Sequence, residues 1–412
     1  MTPAARVQAA IEVLESLLTS ALPADRALRQ YFRNRRYAGS KDRAAVTAHV
    51  FAVYRQHAHY FFRMGNAEPR SLMIASLLAE GEDVQALFSG GPHGPAPLSK
   101  AEEQALESPP SQQPPLWVEA EFPPFLQEEL QQRFGSTLML EMAAMQHRAP
   151  IDLRVNTLRA DRSQVAEALS AQGFAAEPVP YTATGLRIPP GASGLERTAL
   201  FADGAFEFQD EAAQIACVLT DVRPGMRVCD LAAGAGGKSL ALAALMKNQG
   251  QIMACDIASN RLAQLGPRAT RAGVSIIHTS LAPKGLFDRV LVDAPCSGSG
   301  TWRRQPDQKW RLTHERLAEL ERLQDEILDR GAKLLAPGGR LIYATCSVLN
   351  CENERRIEAF RARNPHFTIV AAASVWNQLP DHSPLTGIGE FFQASPYMTQ
   401  TDGFFTAILT RG

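Results

Sequence analysis

Hydrophobic residues recur every three or four positions in the first part of the chain, as at Val7, Ile11, Leu14 and Leu18. This spacing places them on one face of an α-helix. No alternation of apolar and polar residues typical of a strand interrupts the pattern before about residue 85. We therefore predict a helical bundle over residues 1–87.

Proline and glycine are frequent in the next segment, residues 88–115. Both residues interrupt regular secondary structure, so this segment is predicted to be an irregular linker. Within it, Ser99–Glu107 could form one or two turns of helix.

A shorter mixed pattern occupies residues 116–205. Helical spacing returns up to about His147, and the segments that follow favour a strand at Ile151–Leu158, a helix at Gln164–Gln172 and a strand at Gly185–Ile188. Short strands separated by one helix are typical of a small α+β module. We predict such a subdomain here.

From residue 206 to 412 the pattern changes to an alternation of buried strands and amphipathic helices. The predicted strands are Met226–Cys229, Gln251–Cys255, Val274–His278, Arg289–Asp293 and Arg340–Ala344. The predicted helices are Ala212–Leu219, Asn260–Ala272 and a long one near Thr313–Leu335. Regular β-α alternation predicts a parallel, doubly wound α/β sheet. Ligands of such sheets bind at the carboxyl ends of the strands.

The stretch Met226–Lys238 combines a strand, a glycine-rich turn and the start of a helix. The strand ends at Asp230, and Gly234–Gly237 form the turn. Glycines allow close approach of the backbone, and the free N–H groups of a helix N-terminus point at a bound ligand. The stretch therefore predicts a nucleotide-type binding corner without saying which nucleotide it takes.

Polar and reactive side chains follow the other predicted strands. Asp256 lies about 20 residues beyond the glycine turn, where an acid can bind ribose hydroxyls. Asp293 ends a later strand and precedes Cys296, and Cys346 follows the last strand. Because these strands are predicted neighbours, we expect the two thiols to lie on the ligand side of the sheet.

The glycine turn has a second interpretation. The segment Ala232–Ser239 comes one residue short of a phosphate-binding loop, since Ala232 stands where glycine is usual, and Leu291–Asp293 could supply the metal-binding carboxylate of an ATPase. Such a loop needs neither Asp256 nor two cysteines at strand ends. A plain NAD-binding fold fits less well, because the glycines are not spaced as G-x-G-x-x-G.

Composition narrows the class of protein. The chain has 412 residues, 45% of them hydrophobic and 21% charged, with a formal net charge of −1. No apolar run is long enough for a membrane helix, and the N-terminus lacks the apolar segment of a signal peptide. The six cysteines include no C-x-x-C pair, so we expect no metal site and no disulfide framework, but reduced thiols in a cytoplasmic protein.

Two clusters of basic residues stand out against this neutral background. The first lies between Arg26 and Arg43, where Asp42 is the single acid. Its basic residues are Arg26, Arg29, Arg33, Arg35, Arg36, Lys41 and Arg43. The second combines basic and aromatic side chains, namely Trp302, Arg303, Arg304, Lys309, Trp310 and Arg311. Basic charge beside aromatic rings suits phosphate contacts and base stacking, although the first cluster could equally be a solvated helix surface.

Three motifs resemble those of the RNA cytosine-5 methyltransferases of the Sun (Fmu) and nucleolar-protein group. They are DLAAGAGGK at residues 230–238, DAPCSGSG at 293–300 and TCS at 345–347. The N-terminal helices resemble the NusB-like RNA-binding domain of the Sun-type 16S ribosomal RNA enzymes, and Leu153–Asn156 resembles the small RNA-binding subdomain before the catalytic domain. The resemblance covers nearly the whole chain.

This resemblance implies a Rossmann-like class I methyltransferase domain at 206–412 that transfers a methyl group from S-adenosylmethionine to C5 of a cytosine in RNA. The substrate it suggests is 16S ribosomal RNA, with tRNA left open. The implied cofactor contacts are Asp230, Ala232, Ala233, Gly234, Ala235, Gly236, Gly237, Lys238, Asp256, Thr279 and Asp293. The implied RNA contacts are Arg154 and Asn156, and the second basic cluster adds Arg303, Arg304 and Lys309 as predicted RNA contacts.

The resemblance also implies catalytic roles. The thiolate of Cys346 would add to C6, Asp293 would hydrogen-bond the ring at N3, and Cys296 would help to remove the C5 proton. DNA cytosine-5 methyltransferases instead carry the nucleophile in a Pro-Cys pair, which Pro295-Cys296 matches, so the reverse roles stay open. Thr279 stands where the family has an acid for the adenine. We expect a monomer, since the sequence shows no long exposed apolar stripe.

Overall fold

A computed structural model describes residues 1–20, 22–108, 110–379 and 383–411. Its helices are α1 (Pro3–Thr19), α2 (Ala24–Arg33), α3 (Ser40–Arg55), α4 (His57–Met64), α5 (Pro69–Ala79), α6 (Val84–Leu87), α7 (Lys100–Glu107), α8 (Leu116–Glu119), α9 (Gln127–Phe134), α10 (Leu138–Gln146), α11 (Arg162–Ser170), α12 (Ala199–Ala202), α13 (Glu211–Val218), α14 (Gly237–Leu245), α15 (Ser259–Leu262), α16 (Leu265–Ala272), α17 (Pro306–Arg311), α18 (His314–Lys333), α19 (Glu354–Arg363), α20 (Ala372–Trp376) and α21 (Pro396–Thr399). Its strands are β1 (Ile151–Val155), β2 (Glu177–Pro178), β3 (Gly185–Ile188), β4 (Phe206–Phe208), β5 (Arg227–Asp230), β6 (Gln251–Ala254), β7 (Ile277–Thr279), β8 (Phe287–Asp293), β9 (Leu335–Thr345), β10 (Phe367–Val370), β11 (Phe392–Ala394) and β12 (Phe404–Arg411).

The chain divides into two compact units. One contains residues 1–147 together with 302–312, and the other contains residues 148–301 and the chain from 313 onward. Residues 116–147 join the helical unit because their apolar side chains pack there, as where the rings of Phe61 and Trp117 lie 6.2 Å apart. This division differs from the predicted boundaries at 1–87, 88–115, 116–205 and 206–412.

The helical unit confirms the predicted helices of residues 1–87. The side chain of Thr2 caps α1 by accepting a hydrogen bond from Ala5 N (3.2 Å), and the apolar face of α1 is buried from Val7 to Leu17. The predicted linker contains the helix α7, where Ser99 and Glu102 form a capping box at the start. Whether the bundle is NusB-like stays a prediction.

Segment 302–312 belongs to the helical unit, although the sequence pattern predicts it as part of the catalytic domain. The carboxylate of Asp307 accepts a hydrogen bond from Ala24 N (3.0 Å), and Trp310 Nε1 donates to Tyr54 O (2.8 Å). These bonds join the segment to the start of α2 and the end of α3.

The second unit contains a small antiparallel sheet in the order β2-β3-β1-β4. Strand β1 pairs with β3 from Ile151 opposite Ile188, and with β4 on its other edge. The helix predicted at Gln164–Gln172 is α11, shifted by two residues, and it contributes Val165 and Leu169 to the core beside this sheet. The short strands β2 and β4 are not predicted from the sequence.

The larger sheet has the order β10-β12-β9-β8-β5-β6-β7, with β11 also paired to β12. The predicted strands pair in parallel from β7 to β9, which confirms the doubly wound part of the fold. The predicted parallel sheet does not include the antiparallel strand β12, which pairs with β9, β10 and β11 and makes the sheet mixed. The carboxyl ends of β5 to β9 nevertheless meet along one edge.

Side chains of this sheet alternate between two apolar cores. Val228, Leu291 and Ile342 lie in one core with α13 and α14, and Cys229, Val290 and Tyr343 lie in the other with α18. This period of two buries both faces of the sheet. The polar residues of the predicted site are therefore confined to the strand ends and the loops after them.

Candidate functional site

The glycine turn after β5 has the backbone that the sequence predicts for a ligand cradle. Gly234 and Gly236 have φ values of 56° and 86°, in the left-handed region that glycine adopts without strain. A Cβ atom on Gly236 would lie 2.0 Å from Leu265 Cδ1. The turn therefore needs glycine at this position, and it leads directly into α14.

Asp256 holds this turn from the end of β6. Its Oδ2 accepts a hydrogen bond from Gly234 N, and its Oδ1 accepts one from Ala258 N, both at 2.7 Å. A carboxylate has lone pairs for further donors, so the predicted role toward ribose hydroxyls is compatible with these bonds.

The far side of the turn is tied to the small antiparallel sheet through Arg268. Its Nη1 donates to Ala235 O and its Nη2 to the Glu207 carboxylate of β4, each at 2.7 Å. One guanidinium therefore connects the glycine turn with the preceding subdomain.

Asp230 lies fully buried at the end of β5. Its Oδ2 accepts a hydrogen bond from Ser239 Oγ (2.6 Å), whereas no donor among the described residues reaches Oδ1. Burial raises the pKa of Asp230 to about 7, although the bond from Ser239 opposes this effect.

The remaining predicted cofactor residues lie along the same strand ends. Ala232, Ala233 and Gly237 are half-buried in and beside the turn, and Thr279 is exposed as the last residue of β7. Sequence reasoning missed Ile257, which directly follows Asp256 and is 92% exposed. An apolar side chain this exposed beside a nucleotide-type corner suits a flat ligand ring, but one isoleucine gives no pattern to detect.

Lys238, the second residue of α14, forms an ion pair with Asp293 at the end of β8. The distance from Nζ to Oδ2 is 2.7 Å, and Nζ lies 5.2 Å from the centre of the Phe404 ring. Burial lowers the pKa of Lys238, but the groups around it, Asp293 foremost, together outweigh burial and raise the pKa. Lys238 is therefore a cation held on the predicted catalytic carboxylate.

The two predicted catalytic thiols lie together. Cys296 follows β8 and Cys346 follows β9, and their sulfur atoms are 3.4 Å apart. Both side chains are half-buried. The hydrogen bond to Cys346, followed by burial, raises the pKa of the Cys296 thiol. The four other cysteines, Cys217, Cys229, Cys255 and Cys351, are buried in helices, strands or turns.

Backbone contacts hold the loop of Cys296 against its neighbours. Gly300 N donates to Cys346 O (2.9 Å), and Gly403 N donates to Gly300 O (2.8 Å). A Cβ atom on Gly300 would lie 2.1 Å from Gly403 O. The thiol loops therefore pack backbone to backbone with the segment that precedes β12.

Arg154 and Asn156, predicted to contact RNA, are buried in the structure. Arg154 Nε donates to Gln209 Oε1 (2.6 Å), and Asn156 Nδ2 donates to both Gly204 O and Ala272 O (2.9 Å each). Their polar groups support the chain itself. An RNA contact by these two side chains stays a prediction that their burial does not favour.

Arg303, Arg304 and Lys309 lie in the helical unit. Arg303 and Lys309 are buried and Arg304 is half-buried, so the predicted basic surface is only partly present. Lys309 Nζ lies 5.0 Å from the centre of the Trp310 ring and 6.0 Å from that of Trp302. Burial lowers the pKa of Lys309 to about 8. The alternation of basic and aromatic residues here builds a packed cation–π cluster.

Within the described ranges, no group of three or more histidine, cysteine, aspartate or glutamate side chains could hold a metal ion. In the same residues, no helix is both long enough and apolar enough to span a bilayer.

Two family models match the chain. The model described as 16S rRNA methyltransferase RsmB/F matches residues 217–410, and the model of an RsmF/B-like ferredoxin-like domain matches residues 122–192. The resemblance stated from the sequence motifs is thereby confirmed.

Curated relatives carry related names. A Synechocystis protein named "Probable ribosomal RNA small subunit methyltransferase B" is 31% identical over 76% of this chain and 72% of its own length. A Bacillus subtilis protein of the same name is 34% identical over 61% of this chain, and the match spans only 58% of that relative.

Solved structures agree with the fold. The crystal structure of PH0851 covers 100% of this chain and 99% of its own, with 26% identity and a TM-score of 0.79. A methyltransferase homolog protein from Pyrococcus horikoshii covers 72% of this chain and 97% of its own, with 28% identity and a TM-score of 0.61.

Proposed function

Because this chain belongs to the RsmB/F family of ribosomal RNA small subunit methyltransferases, we propose that it methylates C5 of a cytosine in small-subunit ribosomal RNA, with S-adenosylmethionine as the methyl donor. The observation that carries the proposal is the pair of thiols 3.4 Å apart on the loops after β8 and β9. The family assignment favours this reaction over the phosphate-loop alternative.

The strand ends of the second unit fit S-adenosylmethionine. Gly234 and Gly236 supply the left-handed backbone of the turn, Asp256 has lone pairs for ribose hydroxyls, and the exposed Ile257 can cover the adenine. Thr279 offers a hydroxyl where the family has an acid. When bound, S-adenosylmethionine supplies an electrophilic methyl group.

Cytosine C5 is too weak a nucleophile to accept a methyl group unaided. In the proposed reaction the Cys346 thiolate adds to C6, a new C–S bond forms, and electron density moves to C5 and N3. As N3 becomes basic it takes up a proton from water, and the Asp293 carboxylate accepts a hydrogen bond from this N3–H; the proton returns to water when the C5=C6 bond re-forms. Lys238, paired with Asp293 at 2.7 Å, keeps that carboxylate oriented.

The second half of the reaction regenerates the enzyme. The Cys296 thiolate takes the C5 proton, the C5–H electron pair forms the C5=C6 double bond, and the C6–S bond breaks to return the Cys346 thiolate. Before this step Cys296 therefore loses its own proton to water. Its raised pKa makes the thiolate, once formed, a stronger base toward the C5 proton.

The same thiol pair supports the assignment of roles. The contact between the two sulfur atoms, in which either could donate, raises the pKa of Cys296 and so favours its protonated form. This observation favours Cys346 as the nucleophile over the reverse assignment of the DNA enzymes.

The RNA has to present an unstacked cytosine to such a pocket. We assign the sequence-independent part of binding to the helical unit, in which Arg26, Arg33, Arg36, Lys41 and Arg43 are exposed. Exposed arginines and lysines of this kind bind phosphates in a salt-dependent way. We retain a monomer acting in the cytoplasm as the expected state.

The test uses 16S ribosomal RNA and S-adenosylmethionine carrying a radioactive methyl group. We expect the wild-type chain to yield 5-methylcytosine and Cys346→Ala to yield none. Cys296→Ala should trap a protein–RNA adduct that survives a denaturing gel, and Cys217→Ala, a buried cysteine of α13, should behave as wild type. An adduct with Cys346→Ala but not with Cys296→Ala would reverse the two roles.

A binding experiment separates the two nucleotide interpretations. We expect equilibrium dialysis to detect binding of S-adenosylmethionine and none of ATP. Binding of ATP alone would contradict the proposed function.

A further inference from the structure

Glu352 is a fully buried acid that neither the motifs nor the proposed reaction uses. Its carboxylate accepts hydrogen bonds from Ser297 N (2.7 Å), Ser297 Oγ, Ser347 Oγ (2.5 Å) and Gln324 Nε2 (3.0 Å). Ser297 and Ser347 directly follow Cys296 and Cys346. One carboxylate therefore binds the residue next to each thiol.

Further hydrogen bonds reinforce the connection between the two thiol loops. Gln324, from α18, also donates to Pro295 O (2.9 Å), and the main-chain carbonyl of Glu352 accepts the Tyr343 hydroxyl (2.6 Å). Ser299 Oγ and Ser347 Oγ are 2.9 Å apart. The two thiol loops are thus cross-linked by polar side chains that are themselves buried.

The described donors to Glu352 are all neutral, which is unusual for a buried carboxylate. Burial raises the pKa of Glu352, although the bonds from Ser297 and Ser347 oppose it. Placing an acid here is costly, and an apolar residue could fill the same space. What an apolar residue could not do is accept bonds from both loops at once.

The two loops depend on Glu352 to different degrees. Ser297 uses both its N–H and its hydroxyl on this carboxylate. The Cys346 loop has a further anchor in Asn353, whose Oδ1 accepts a hydrogen bond from Thr345 Oγ1 (2.6 Å) and whose Nδ2 donates to Ser347 O (2.9 Å). Loss of Glu352 therefore frees the Cys296 loop more than the Cys346 loop.

We propose that Glu352 is a positioning residue that holds Cys296 at the Cys346 sulfur, so that it controls release of the methylated base more than the initial attack. The inference rests on the proposed function. In the release step the C5 proton moves to Cys296 while the C6–S bond to Cys346 breaks. A displaced Cys296 slows this step and leaves attack by Cys346 nearly intact.

The test measures adduct formation and product release separately in one time course. We expect Glu352→Ala to form the denaturant-stable protein–RNA adduct within about threefold of the Cys296→Ala rate, and to release 5-methylcytosine at least tenfold more slowly than wild type. The release rate of Glu352→Gln should lie between those of wild type and Glu352→Ala, since its amide keeps one acceptor oxygen and the serine hydroxyls can rotate. The exposed Glu358→Gln, on α19, serves as the matched control and should match wild type.

Several outcomes would overturn the inference. Equal slowing of adduct formation and release in Glu352→Ala would mean that the residue only stabilises the fold. An adduct with Cys296→Ala but no accumulation with Glu352→Ala would contradict the Glu352 role alone. No adduct with any variant, and no methylation by wild type, would contradict the proposed function itself.

A second pair of variants covers the case in which Glu352→Ala does not fold, as judged by circular dichroism and S-adenosylmethionine binding. Ser297→Ala removes the hydroxyl bond from the Cys296 loop to Glu352, and Ser347→Ala removes the corresponding hydroxyl bond from the Cys346 loop. We expect Ser297→Ala to accumulate more adduct than Ser347→Ala. The reverse order would overturn the proposed direction of the effect.

Discussion

The buried carboxylate of Asp230 predicts an unusual dependence of stability on pH. Its Oδ2 is bonded to Ser239, its Oδ1 lacks a donor among the described residues, and its pKa is raised from the ordinary value of 3.8 to about 7. In the folded chain this group therefore resists ionisation that it undergoes readily in the unfolded chain. Ionised Asp230 therefore lowers the stability of the folded chain, and we predict that Asp230→Asn removes this loss of stability.

The size of the effect follows from linkage. A pKa raised to about 7 corresponds to about 4 kcal/mol at 1.36 kcal/mol per pKa unit, for pH values above the folded-state pKa. The cost is absent below the unfolded-state pKa and grows as pH rises toward about 7. Between about pH 5 and pH 8, the free energy of unfolding of Asp230→Asn relative to wild type should rise by about 2 to 3 kcal/mol.

Urea unfolding followed by circular dichroism at several pH values measures this difference. Ser239→Ala is the matched control, because it removes a hydrogen bond that stabilises the ionised form of Asp230. Its free energy of unfolding relative to wild type should fall as pH rises, opposite to Asp230→Asn. The asparagine amide leaves a buried N–H group without an acceptor, a cost of about 1 to 3 kcal/mol that is independent of pH.

The refuting result is specific. A difference between Asp230→Asn and wild type that stays constant from about pH 5 to pH 8 would mean that Asp230 ionises normally in the folded chain. The claim that burial dominates over the bond from Ser239 would then be wrong.

Three further predictions follow from contacts in the same unit. Gly300→Ala, whose Cβ would lie 2.1 Å from backbone, should lower the free energy of unfolding by at least about 1 to 3 kcal/mol. Gly266→Ala, which has open space around its Cβ, should be neutral or stabilising, and equal effects of the two variants in urea unfolding would contradict this. Arg268→Lys should weaken S-adenosylmethionine binding roughly tenfold in equilibrium dialysis, because the bond to Ala235 O is lost; unchanged binding would show that the turn holds itself. Asn156→Ala should lower the free energy of unfolding by about 1 to 3 kcal/mol and leave RNA affinity unchanged in filter binding. Weaker RNA binding without loss of stability would instead support the predicted RNA contact of Asn156.

Local patterns carried much of the fold prediction. Helical spacing identified the N-terminal helices, and the glycine turn with its flanking strand was visible because the left-handed conformations at Gly234 and Gly236 restrict the choice of residue. The position of Cys296 beside Cys346 followed from one rule, that parallel strands end at the same edge of a sheet.

The features that were missed depend on partners far away in sequence. The antiparallel direction of β12 depends on which strand it pairs with, and its alternation of residues is the same in either direction. Segment 302–312 has the composition of an RNA-binding surface, yet Asp307 and Trp310 pack within the helical unit. Glu352 lies in a polar run, and only the structure brings Ser297 and Ser347 to its carboxylate.

The close backbone contact between Gly300 and Gly403 has a consequence for the order of synthesis. Residues 403–411 leave the ribosome after every other element of the large sheet, and β12 must then insert between β9 and β10. Until that insertion, the loops that carry the two cysteines lack the backbone wall formed at Gly403. A chain that has emerged from the ribosome only as far as residue 402 therefore carries both cysteines but lacks this wall.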